Sequence, residues 1–191
     1  MTRIPSHTLT EAPAASRPLL EGAARSSPTG KPLNLHAQMA HSPAVLAAYT
    51  SIREAIAAHG TLDPRVRSAL MLATAGVSHS GYAEDVTSRL ALRTGWTQAE
   101  VLALRDGQSL GDDKLGSLIA VVREAAGRAG QVDDVTWERA AACGWTSAEL
   151  AEAFAYLALT VFTAYFLNYA QTPNDLASTH NAVAVGANGT E

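Results

Sequence analysis

A short stretch near the middle of the chain contains several groups suited to proton transfer. His79 has a side chain that titrates near neutral pH, and Glu84 supplies a carboxylate close behind it. Four residues at positions i, i+3, i+4 and i+7 share one side of a helix: Ser80, Ala83, Glu84 and Thr87. On this polar side, Glu84 is the strongest candidate for an acid or base.

Each of these groups also has an ordinary structural explanation. Glu84 is alternatively a solvated carboxylate in the first turn of a helix, where the helix dipole favours negative charge. His79 is alternatively a loop or capping residue, and Tyr82 either donates a proton or simply packs. The residue types alone leave these alternatives open.

A second set of polar groups lies on a long apolar segment, residues 147–171, which is predicted to be a helix. Its apolar residues lie nearly all round, which is typical of a helix at the centre of a fold or in a subunit interface, so we expect a homo-oligomer. Tyr165 and Asn168 share a face, and Tyr169 follows them. A buried Asn needs polar partners, so Asn168 either braces another helix or contacts a ligand.

Other residue types exclude several classes of function. Cys143 is the only cysteine, so the chain cannot run dithiol redox chemistry on its own. His36 and His41 have no cluster of carboxylates or cysteines at ligand spacing, so no metal site is predicted. No Gly-rich phosphate loop is present, and no cofactor is expected. The formal net charge of -4 indicates no nucleic-acid partner.

The hydropathy pattern argues against a membrane protein. No stretch of about 18 apolar residues is free of polar interruption, so no membrane span is expected. Residues 1–15 lack the apolar core of a signal peptide. We therefore expect a cytoplasmic protein.

The composition favours helices over strands. Hydrophobic residues make up 47% of the chain, Ala and Leu dominate them, and β-branched runs are scarce. Because Ala and Leu lose little on entering a helix, we predict an all-α fold.

The chain also contains an internal repeat. Gly95-Trp96-Thr97 returns 49 residues later as Gly144-Trp145-Thr146. Any two helices with capping boxes look alike, but the shared Gly-Trp-Thr favours a duplicated helical unit. We predict a partly ordered extension at residues 1–30 and one domain at residues 31–176. The repeat units of this domain span about residues 62–110 and 111–172. We predict a disordered tail at residues 177–191.

Several segments resemble one known family in their order and spacing. They are Pro32-Leu33-Asn34-Leu35-His36, Ala40-His41-Ser42-Pro43-Ala44, Leu62-Asp63-Pro64-Arg65, Gly95-Trp96-Thr97 and Phe162-Thr163-Ala164-Tyr165-Phe166. Together they resemble the alkylhydroperoxidase D-like branch of the carboxymuconolactone decarboxylase superfamily, over residues 4–175. The resemblance implies an all-helical fold with a repeated unit, and assembly into trimers or larger oligomers.

The redox motif of that family is missing here. The motif is a Cys, two residues, a second Cys preceded by a Tyr, three residues and a His, with a Glu before it. Tyr82 matches, but Ser80 and Ala83 stand at the two Cys positions. Thr87 stands at the His position and Ser68 at the Glu position. Without a thiolate and a resolving thiol the peroxidase reaction is not expected, and decarboxylation through the family's His is equally doubtful.

The resemblance also implies where a pocket lies. In the family, the altered helix and the last helix line the pocket, and relatives often carry a His near position 168. We therefore predict an enlarged, mostly apolar pocket between residues 80–87 and 165–169. The predicted proton-transfer groups are Glu84, His79, Tyr82 and Tyr165. The predicted substrate contacts are Ser80, Ala83, Thr87, Ser68, Asn168 and Tyr169.

These observations lead to a functional hypothesis. We predict a cofactor-independent enzyme that acts on a small organic substrate by acid–base, cyclisation, isomerisation or lyase chemistry, as in a biosynthetic tailoring step. The alternatives are a non-catalytic ligand-binding or scaffold homologue, and redox chemistry through a bound cofactor.

Overall fold

The computed structural model describes residues 2–27 and 30–176. Within these ranges the chain forms nine α-helices and no strand, which confirms the predicted all-α fold. The predicted tail at residues 177–191 lies outside the described residues. The helices are α1 (Arg17–Ser26), α2 (Asn34–Met39), α3 (Pro43–His59), α4 (Pro64–Ala75), α5 (Gly81–Arg93), α6 (Gln98–Asp106), α7 (Asp113–Gly127), α8 (Asp134–Ala142) and α9 (Ser147–Ala170).

Helices α4 and α9 form the centre of the molecule. Helix α4 packs against α5, α6, α7 and α9, and α9 also packs against α3, α5 and α7. Within the described residues, α9 is the one helix that is long and apolar enough to cross a membrane, and half of its most apolar stretch is buried inside the protein. The same composition is expected of a core helix, so this is weak support for a membrane span.

The two copies of Gly-Trp-Thr are held by equivalent contacts. Trp96 donates its indole N–H to the Arg65 carbonyl at 3.1 Å, and the Arg65 guanidinium lies over the indole. In the second copy, Trp145 donates to the Lys114 carbonyl at 2.8 Å, and the Lys114 ammonium lies over that ring. Each Trp therefore anchors the end of one helix to the start of another.

The residues around each Trp stop one helix and start the next. Gly95 and Gly144 have φ of +93° and +88°, a conformation that disfavours a Cβ atom. Thr97 and Thr146 then cap α6 and α9, each in a reciprocal capping box with a Glu. The repeated tripeptide is therefore a helix stop, an anchor and a helix start.

The segments at the two ends of the described chain pack onto the domain. Gln38 on α2 donates to the Ile4 carbonyl at 2.6 Å, and Leu20 on α1 belongs to the main core. After α9, residues 172–176, which we call the C-terminal strap, fold back toward α2 and α5. Asp175 in this strap accepts a hydrogen bond from the Asn34 backbone N–H at 2.9 Å. These segments therefore cover the end of the domain where α2 lies.

Candidate active site

A cavity of about 540 Å³ lies among α3, α4, α5 and α9, with α1, α2 and the strap completing its wall. Its volume lies in the range of small-molecule sites. Much of the wall is apolar, and its larger apolar side chains are Leu33, Leu35, Ile56, Met71, Val86, Leu90, Leu159 and Leu176.

His36 lines this cavity from α2 and is only 7% exposed. Its Nε2 lies 3.4 Å from the Tyr49 hydroxyl, and its Nδ1 has no hydrogen-bond partner among the described residues. Burial, together with the charge of Arg53, lowers the pKa of His36 to about 4, while the charge of Asp175 opposes the change. The imidazole is therefore neutral at pH 7.

Tyr49, on α3, completes a polar group with His36. Burial raises the pKa of its hydroxyl, while the charge of Arg53 and a hydrogen bond with it oppose the rise. The Arg53 guanidinium also lies 5.5 Å from the centre of the Tyr49 ring. Both His36 and Tyr49 are thus neutral and hydrogen-bonding at pH 7, and together they can accept and return one proton.

The short helix that carries His36 is positioned by the C-terminal strap. Asn34, the first residue of α2, donates its backbone N–H to Asp175 and its side-chain amide to the Pro173 carbonyl at 3.0 Å. A helix of six residues is marginal by itself, so these contacts and packing must hold it in place. The position of His36 therefore depends on the strap.

The cavity wall is positively charged. Four arginines line it: Arg53, Arg67, Arg89 and Arg93. Among the described residues, no Asp or Glu lines it. Tyr156 also lines the cavity. Burial and its hydrogen bond to Glu152 raise the pKa of Tyr156 to about 12, while Arg67 opposes the rise.

Three of the residues predicted as substrate contacts do line the cavity: Ser68, Ala83 and Thr87. The Ser68 hydroxyl donates to the Arg65 carbonyl at 2.9 Å and lies 2.6 Å from the Thr94 hydroxyl. The Thr87 hydroxyl donates to the Ala83 carbonyl at 2.8 Å. These hydroxyl groups are engaged within the protein, so they shape the wall and are poorly placed for proton transfer.

The predicted acid–base group on α5 does not line the cavity. Glu84 lies about 100° round the helix from Ala83, on the side away from Val86, and so leaves the cavity wall. The pKa of Arg105 is raised mainly by its hydrogen bond to Asp106, and the charge of Glu84 adds to this rise. Glu84 therefore faces α6, and the prediction that it borders the pocket is wrong.

Three other predicted groups lie off the cavity at the start of α5. His79 is exposed, with φ of +50°. Ser80 is buried and caps α5, accepting from the Ala83 backbone N–H at 3.4 Å. Tyr82 donates its hydroxyl to Asp175. Burial and this bond raise the Tyr82 pKa well above its usual range, so Tyr82 ties the strap to α5.

The predicted wall at residues 165–169 is also wrong. Tyr165 and Tyr169 are 58% and 70% exposed and point away from the cavity. Asn168 donates to the carbonyl oxygens of Ser78 and His79 at 3.2 and 3.4 Å, so it braces the loop before α5. The wall is formed earlier on α9, by Tyr156, Leu159, Thr160 and Thr163.

Sequence reasoning did not identify the His36–Tyr49 pair or the arginines. His36 was weighed only as a metal ligand, and no group of three or more His, Cys, Asp or Glu side chains suited to a metal ion exists in the described part of the chain. The available signal was a titratable residue between the apolar residues Leu35 and Met39. A polar group in such a run is worth examining for a partner or a ligand.

Part of the chain matches a known family in sequence. Residues 43–112 match the sequence model of the carboxymuconolactone decarboxylase family. They run from the start of α3 to the cap of α7 and include three helices of the cavity wall. No curated protein matches the chain in sequence.

Several solved structures share the fold across most of the chain. An uncharacterized peroxidase-related protein from Ralstonia eutropha JMP134, described as an alkylhydroperoxidase AhpD core, has 14% identity and a TM-score of 0.79, covering 91% of this chain and 92% of that chain. A cysteine-to-alanine variant of the debrominase Bmp8, in complex with 2,3,4-tribromopyrrole, has 16% identity and a TM-score of 0.77, covering 92% of each chain.

A third structure, an uncharacterized peroxidase-related protein from Silicibacter sp. TM1040, has 11% identity and a TM-score of 0.71. It covers 91% of this chain and 94% of that chain. At these identities the likeness establishes a shared fold.

Proposed function

Because the chain is a member of the carboxymuconolactone decarboxylase/AhpD-like superfamily, we propose that it is an enzyme that acts on a small organic substrate by acid–base chemistry. The observation that carries this proposal is the buried His36–Tyr49 pair on the wall of a mostly apolar cavity. Ser80 and Ala83 occupy the family's thiol positions, so thiol chemistry is not part of the proposal.

The proposed proton transfer uses the neutral state of both groups. A neutral imidazole accepts a proton from a substrate C–H or O–H group, and the Tyr49 hydroxyl stabilises or returns it. Apolar walls strengthen these interactions because they exclude water. Isomerisation, cyclisation, dehydration and decarboxylation need only such groups and a shaped site.

The size of the cavity and one structural neighbour support a small ring compound as the substrate. A volume of about 540 Å³ holds a molecule of that size with room to turn. The Bmp8 debrominase variant, which shares the fold, is in complex with 2,3,4-tribromopyrrole. We propose a substrate of similar bulk, without proposing debromination.

The proposal is tested by profiling small molecules. Purified wild-type protein is incubated with a metabolite extract, and consumption and product formation are followed by mass spectrometry. We expect at least one compound to be converted, and His36→Gln to slow its conversion by roughly 10²-fold or more. His59→Gln, at an exposed position on α3 away from the cavity, is the matched control and should convert at the wild-type rate.

The same experiment separates catalysis from binding alone. If a compound is retained by the protein and recovered unchanged, the protein is a ligand-binding homologue and the enzymatic proposal is wrong. If His36→Gln converts its substrate as fast as the wild type, the proposal of an enzyme is retained, but the role assigned to His36 is wrong.

We also propose that the protein is a homo-oligomer, based on a trimer as the resemblance implies. Phe154 and Tyr165 are 62% and 58% exposed and lie three turns apart on the same face of α9. Exposed aromatic side chains in a row are typical of a subunit contact. Light scattering should give a trimer-based mass that falls to a monomer in a Phe154→Asp, Tyr165→Asp variant. Val135→Asp, at an exposed position on α8, should leave the mass unchanged.

A further inference from the structure

The cavity differs in charge from the protein as a whole. The chain has 18 Asp and Glu against 14 Lys and Arg, with a formal net charge of -4. Yet four arginines line the cavity and, among the described residues, no carboxylate does. A wall with one sign of charge and low-dielectric surroundings concentrates ligands of the opposite charge.

Three of the arginines come from two neighbouring helices that border the cavity. Arg89 and Arg93 are one turn apart on α5, so their side chains leave the same side of that helix. Arg67 lies on α4, which packs directly against α5. All three side chains border the same cavity, so one ligand group can contact more than one of them.

Two of these three arginines form no salt bridge with the described residues. Within the described residues, neither Arg67 nor Arg93 has a carboxylate within 4.0 Å. Arg67 is half-buried beside the Tyr156 hydroxyl, which is a neutral partner. A half-buried cation without a salt bridge gains more from an anionic ligand than an exposed one does.

We propose that the cavity binds small organic oxyanions, with the charged group held by Arg67, Arg89 and Arg93 and the apolar body against the leucines of the wall. The guanidinium fork matches a carboxylate or a phosphate, since both offer paired oxygens. This inference deepens the proposed function and rests on it, because it assigns a substrate class to the same cavity.

The experiment measures binding alone, so it does not depend on turnover. The probes are 2-naphthoate, its neutral amide 2-naphthamide, and 2-naphthyl phosphate, titrated by calorimetry into the full chain. We expect 2-naphthoate to bind at least about tenfold more tightly than 2-naphthamide. Tighter binding of 2-naphthyl phosphate than of 2-naphthoate would assign the site to phosphate esters rather than carboxylates, still within the proposal.

Substitutions then test which arginine binds the carboxylate of 2-naphthoate. Arg67→Gln should weaken 2-naphthoate binding at least about fivefold and leave 2-naphthamide unaffected. Arg139→Gln removes an arginine on α8 that does not line this cavity. It should change the affinity for neither 2-naphthoate nor 2-naphthamide. Circular dichroism and thermal unfolding of each variant show that the fold is retained.

Three results would overturn the proposal: equal affinity for the acid and the amide, no binding of any probe, or equal losses in Arg67→Gln and Arg139→Gln. Failure here is distinguishable from failure of the proposed function. A charge preference without conversion of any compound would leave the anion site standing and remove the enzyme. Conversion of a neutral substrate, without a preference for the acid over the amide, would support the enzyme and rule out the anion site.

Discussion

The neutral state of His36 predicts a specific dependence of stability on pH. The pKa of His36 is about 4 in the folded protein, against an ordinary value of 6.5. Between these values the unfolded chain binds a proton at this residue and the folded chain does not. Stability must therefore fall as the pH drops through this window, and the effect levels off below pH 4.

The size of the effect follows from the same two values. One pKa unit corresponds to about 1.4 kcal/mol, so the difference for His36 corresponds to about 3 kcal/mol at most. The His36 side chain is 7% exposed, so screening by solvent reduces this free-energy difference only slightly. For a domain of ordinary stability, about 3 kcal/mol is a large fraction of the total.

The assay is urea unfolding of three proteins at several values between pH 7 and pH 4. Wild type should lose about 3 kcal/mol more than His36→Gln across this range, because only wild type has the buried imidazole. His59→Gln removes an exposed histidine and should follow the wild-type curve. Parallel curves for wild type and His36→Gln would show that the imidazole is not buried in its neutral state, and would refute the reasoning.

Three further predictions concern the missing thiols, a repeat glycine and the strap. Peroxide turnover with any dithiol donor should equal the blank without protein, and Cys143→Ser should not change it. Gly95→Ala should lower the free energy of unfolding in urea by about 1–2 kcal/mol, because its φ is +93°. Tyr82→Phe should lower the free energy of unfolding by about 1–2 kcal/mol and speed amide hydrogen exchange in the strap, since the hydrogen bond to Asp175 is lost. Tyr169→Phe, at an exposed site, should stay within about 0.5 kcal/mol of wild type.

Each of these has a contrary outcome. Turnover that disappears in Cys143→Ser would show that the lone thiol supports redox chemistry after all. Wild-type stability in Gly95→Ala would mean that the helix end adapts at no cost. Unchanged amide exchange in Tyr82→Phe would mean that other contacts suffice to hold the strap.

The local pattern of the sequence was enough to predict the helical class and the starts of several helices. Asp63 caps α4 as its position before Pro64 indicates, accepting from the Arg65 backbone N–H at 2.8 Å. The capping box that the spacing of Thr97 and Glu100 indicates is formed. Such signals work because a cap and its partner are two or three residues apart, so no tertiary contact is needed to bring them together.

The candidate site was predicted only in part. Ala83 and Thr87 line the cavity, and their spacing places them on one side of α5. Glu84 stands three residues before Thr87, so the same spacing groups it with them, yet it falls outside the arc of α5 that borders the cavity. Periodicity indicates which residues share a side of a helix, but not how wide an arc its neighbours leave open.

The sequence by itself determined the helical class, the capped starts of α4, α6 and α9, the repeated Gly-Trp-Thr unit and the loss of the thiol motif, since each is a local property of residue type and spacing. Only the tertiary structure decided which groups meet. His36 and Tyr49 come from different helices, and Arg67 comes from α4 while Arg93 comes from α5. Their pKa values and combined charge depend on burial and on neighbours distant in sequence, which a linear pattern does not contain.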